Sequence, residues 1–89
     1  MLERQLTIIN KLGLHARAAA KFVAMASRYQ SEIEVERNGR VVNGKSIMGM
    51  MMLAAAKGSE LTVRARGEDE LAALDSLEAL IANRFGEPE

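Results

Sequence analysis

Asn38-Gly39 sits between two runs of strand formers, and this dipeptide constrains the fold more than any other feature of the chain. Both central positions of a two-residue hairpin turn need positive φ, which asparagine and glycine tolerate. Glu32–Arg37 and Arg40–Val42 therefore read as antiparallel neighbours. In the first of them Ile33 and Val35 fall on one face and Glu34 and Glu36 on the other, as in a sheet with one dry side.

The remaining elements follow from period and punctuation. Leu2, Leu6 and Ile8 share one parity of a first strand, which Arg4 and Ile9 interrupt. After the loop Asn10–Gly13, residues 16 to about 28 contain neither Gly nor Pro, and Ala19, Phe22, Val23 and Ala26 mark the core side of a helix. Ser46 stands where the N-cap of a second helix belongs, in which Ile47, Met50 and Leu53 point inward and Met48, Met51 and Met52 partly outward. Leu61, Val63 and Ala65 alternate as a fourth strand. Asp69 reads as the cap of a third helix with a stripe of Leu71, Leu74, Leu77 and Ile81, and the tail Gly86–Glu89 as a frayed end.

The order βαββαβα implies one α+β domain over residues 1–89, an open-faced two-layer sandwich. Placing the fourth strand between the first and second gives a four-stranded antiparallel sheet of order 1-4-2-3, with three helices on one face. On the wet face this topology sets Glu34 and Glu36 beside Arg64 and Arg66.

Composition narrows the chemistry. Twelve basic residues balance twelve acidic ones, and one Tyr, two Phe and no Trp leave little for stacking, so nucleic acid is not an expected partner. Without cysteine and with one histidine there is no thiol catalysis and no multi-histidine metal centre. No apolar run is long enough for a bilayer, and Met1–Leu6 has no secretory pattern, so a cytoplasmic chain with no membrane partner is expected.

The chemistry-bearing segment is Gly13-Leu14-His15-Ala16-Arg17. It delivers a histidine to the start of a helix, where unpaired amides and the macrodipole favour an anion. A neutral imidazole is nucleophilic near pH 7, and the Arg17 fork suits phosphate oxygens, an arrangement fit for a covalent phosphoryl carrier. Spacing alone leaves open the plainer reading of a histidine that happens to begin a helix.

Two further features bear on function. Gly39–Ser46 satisfies G-x-x-x-x-G-K-[ST], yet Arg40-Val41-Val42 favours extended strand and no later strand ends in a magnesium-binding Asp. It reads as a hairpin turn, a second turn and a cap. The methionines after Ser46 are either core or an adaptable contact surface.

Together, Gly13–Arg17 and Gly44-Lys45-Ser46-Ile47-Met48-Gly49 resemble the two signatures of the histidine-containing phosphocarrier (HPr) family of the bacterial phosphoenolpyruvate phosphotransferase system, and the likeness spans nearly the whole chain. It implies that His15 accepts a phosphoryl group through Nδ1 from enzyme I and passes it to an enzyme IIA of the sugar or nitrogen branch. Arg17 would stabilise the phosphate, and Ala16, Ala20, Ile47, Met48 and Met51 would form the docking patch. Ser46 matches the residue that a serine kinase/phosphorylase modifies in many relatives. The implied molecule is a carrier, not an enzyme, needing no cofactor or metal, and a monomer is expected. Ala18 departs from the proline of many sugar-branch members, which leaves the branch open. The rival reading is a regulatory module that docks through Met48 and Met51 without stable phosphate carriage.

Overall fold

The computed structural model describes residues 1–89. The central hairpin forms as expected, with Asn38 at φ 51° and Gly39 at φ 83° joining β2 (Glu32–Arg37) to β3 (Arg40–Asn43). Strands β1 (Leu2–Thr7) and β4 (Glu60–Arg66) complete a sheet of order β1-β4-β2-β3, each neighbour antiparallel. Helices α1 (Ala16–Ala26), α2 (Ile47–Met52) and α3 (Glu70–Ala82) cover one face, and a 3₁₀ turn follows at Arg84–Gly86.

The alternation decides which face is dry. Ile33, Val35, Leu61, Val63 and Ala65 are buried with Phe22, Met50, Leu74 and Leu77 of the helices, in one continuous core. On the open face Arg64 lies opposite Glu34 and bonds Glu3 at 2.9 Å and Glu36 at 2.6 Å, as the topology requires. Arg66 instead lies opposite Glu32. Arg4, on the parity of Leu6, leaves the core by reaching Asp75 at 2.7 Å and Glu78 at 2.8 Å on α3.

Four expectations are corrected. Leu71 is exposed, and Ala73 with Leu74, Leu77 and Ile81 forms the buried stripe of α3, because the covered side begins two residues later. Ile47 is also exposed, since the six-residue α2 buries Met50 and the adjoining Leu53 instead. Asp69 precedes α3 without capping it by its side chain. Its carboxylate accepts from the amides of Gln30 at 2.8 Å and Ser31 at 2.9 Å and from the Ser31 hydroxyl, tying the start of β2 to α3. The tail is not frayed. Arg84 and Phe85 take left-handed backbone (φ 54° and 55°), which turns the chain so that Phe85 is buried, and the Lys21 ammonium bonds its carbonyl at 2.7 Å.

Candidate functional site

Gly13 sets the approach to the site. Its φ of +69° is left-handed, and an added Cβ would stand 2.7 Å from the Ala55 carbonyl oxygen and 2.9 Å from Ala56 Cα. The Leu14 amide bonds that same Ala55 carbonyl at 2.8 Å, and Leu14 is buried. This seam presents His15 as the N-cap of α1 with extended backbone (φ −78°, ψ −179°) and no side-chain cap bond. The imidazole is therefore free of the usual capping task.

The His15 carbonyl accepts the first helical bond, from the Ala19 amide at 2.8 Å. The amides of Ala16, Arg17 and Ala18 ahead of it have no intrahelical acceptor, so they and the positive helix end face the ground before His15. Arg17 is exposed and lines the same recess as Lys11, Leu12, His15 and Ala16. The sequence pairing of His15 and Arg17 thus becomes two side chains lining one open recess, which Glu87, Pro88 and Glu89 line as well.

The tail closes the other side. Glu87 Oε2 is hydrogen-bonded to His15 Nε2, while Glu87 Oε1 accepts from Asn10 Nδ2 at 3.0 Å. Asn10 is fully buried and its Nδ2 also donates to the Gly13 carbonyl at 2.7 Å. The bond from His15, aided by that from Asn10 and opposed by desolvation, holds the Glu87 carboxyl below the usual carboxylate range. Sequence reasoning missed Glu87, and the one available signal was Phe85, an apolar anchor in an otherwise polar end.

The remaining residues expected at the site lie on α1, on α2, which packs against it, and at the α2 cap. Ala16 and Ala20 of α1 are exposed, as are Ile47, Met48 and Met51 of α2, with Met48 74% exposed. Met52 and Leu12 are also exposed apolar residues. Ser46 caps α2, its hydroxyl oxygen accepting from the Gly49 amide at 3.0 Å. The nucleotide-loop pattern is spent on structure: the Lys45 ammonium bonds the Tyr29 carbonyl at 2.7 Å, and Gly44 lies tight against Ile33. No group of side chains suited to a metal ion occurs.

A family model described as PTS HPr component phosphorylation site matches residues 2–83. The phosphocarrier protein HPr of Cupriavidus necator is 60% identical over 89 residues, covering 100% of both chains. The phosphocarrier protein NPr of Shewanella violacea is 43% identical over 86 residues, 97% of this chain and 94% of that one. A crystal structure of HPr from Thermoanaerobacter tengcongensis superposes with a TM-score of 0.96 at 46% identity, covering 100% of each chain.

Proposed function

The chain belongs to the HPr family, the phosphoryl carriers of the phosphotransferase system, and from that premise we propose that His15 is the residue that carries the phosphoryl group. The observation that carries this reading is an imidazole at the start of α1, free of any capping duty and beside unpaired amides and Arg17. In the forward step the imidazole attacks phosphorus in line, and Arg17 with those amides stabilises the transferred group. Little covalent machinery is needed, so a small domain suffices.

Enzyme I as donor and an enzyme IIA as acceptor are the partners this reading assigns, with Ala16, Ala20, Ile47, Met48 and Met51 as the shared docking patch. An exposed apolar surface on α1 and on the α2 helix packed against it suits successive transient partners. A monomer is proposed because a carrier must leave that face open to each partner in turn. Ser46 is proposed as a regulatory phosphorylation site. A dianion there would favour the α2 start yet add negative charge beside the patch. The proposed place of action is the cytoplasm. No helix is long and apolar enough to cross a membrane.

The test is intact mass after incubation with phosphoenolpyruvate, magnesium and catalytic enzyme I. One acid-labile phosphoryl increment is expected in the unmodified chain and none in His15→Ala. An increment of the same size and lability in His15→Ala would refute the assignment.

A further inference from the structure

The contact between Glu87 and His15 has a chemical consequence. A neutral imidazole carries one N–H, and an ionised carboxylate can only accept. Glu87 is ionised at neutral pH, since its carboxyl is held below the usual range. The His15 proton therefore resides on Nε2, facing Glu87 Oε2, and the lone pair is left on Nδ1. We propose that Glu87 is a positioning residue for phosphoryl transfer, fixing the Nε2–H tautomer of His15 and so directing attack to Nδ1; this rests on the reading of His15 as the carrier.

The carboxylate is built in rather than drifting past. Its side chain is only 11% exposed. Buried Phe85 anchors the chain two residues before it, and the Glu87 amide bonds the Arg84 carbonyl at 2.9 Å. On its other side the Lys11 amide bonds the Glu89 carbonyl at 3.0 Å, and Asn10 Nδ2 orients Oε1. Residues 84–89 lie beyond the matched family segment, 2–83, so nothing in that match supplies this carboxylate.

The step balances without moving the Nε2 proton. The Nδ1 lone pair forms the N–P bond, the donor's P–O bond breaks, and its electron pair leaves on the donor oxygen. The ring takes up one positive charge, delocalised onto Nε2, where the Glu87 carboxylate opposes it at hydrogen-bond distance. In the onward transfer the charge is discharged and the same tautomer is restored.

The test reads the ring and the reaction separately. With ¹⁵N-labelled protein at a pH where the imidazole is neutral, two-bond ¹H–¹⁵N correlations should show a single Nε2–H tautomer in the unmodified chain. Glu87→Ala should give a mixture, with the backbone spectrum confirming an intact fold. Phosphorylation by the small donor phosphoramidate, which bypasses protein docking, should slow on the order of tenfold in Glu87→Ala, the scale of one lost charge-assisted hydrogen bond. Glu87→Gln, which keeps an acceptor but no charge, should fall between. Mixed tautomers in the unmodified chain, or an unchanged rate in Glu87→Ala, would overturn the proposal. A chain whose His15 takes no phosphoryl group at all would instead sink the carrier reading, and the tautomer result, obtained without any donor, tells the two failures apart.

Discussion

At Gly13 the conformation and the neighbours impose the same demand. Any side chain there meets the Ala55 carbonyl and must also hold a φ of +69°. Gly13→Ala should therefore lower stability by roughly 2 kcal/mol, seen as an earlier urea midpoint. It should also slow phosphorylation, because Leu14 and His15 are registered by the same seam. A midpoint within error of the parent would show that the seam yields freely. The placement of Gly13 and His15 at the start of α1 is legible in the sequence, because a glycine just ahead of a helix start marks a turn that bulkier residues resist. That of Glu87 is not, since a carboxylate 72 positions from its partner leaves no periodic trace.

Among the elements, the hairpin and the strand order are readable because alternation and Asn-Gly act locally, and one dry face leaves few ways to arrange four strands. The clasp between Asp69 and the start of β2 is a tertiary contact, and an Asp just before a helix reads as a cap whether or not it serves as one. That clasp carries a pH signature. The Ser31 hydroxyl first, then the Gln30 amide, hold the Asp69 carboxyl below its ordinary value. Between the depressed native value and the unfolded value of about 3.9, the unfolded chain binds more protons, so stability rises with pH there. The contribution is complete above about pH 5 and is lost as pH falls through the native value. Asp69→Asn should flatten that acid limb in denaturation midpoints taken from pH 2 to 6; an unaltered limb would mean that other carboxyls set it.

Across the whole molecule, Arg64 ties three strands together by facing Glu3 of β1 and Glu34 and Glu36 of β2. Its loss leaves three carboxylates without the cation they share. Arg64→Ala should lower the melting temperature, and the deficit should shrink in 1 M NaCl as these ion pairs are screened. A deficit independent of salt would assign the effect to lost side-chain packing. The opposite side of the molecule concentrates its exposed thioethers at Met48, Met51 and Met52. If that surface docks partners as proposed, it is also open to oxidants: sulfoxide formation would turn a soft apolar patch polar without touching the imidazole. Peroxide stress would then leave a carrier chemically competent but unrecognised, until a reductase restored its methionines.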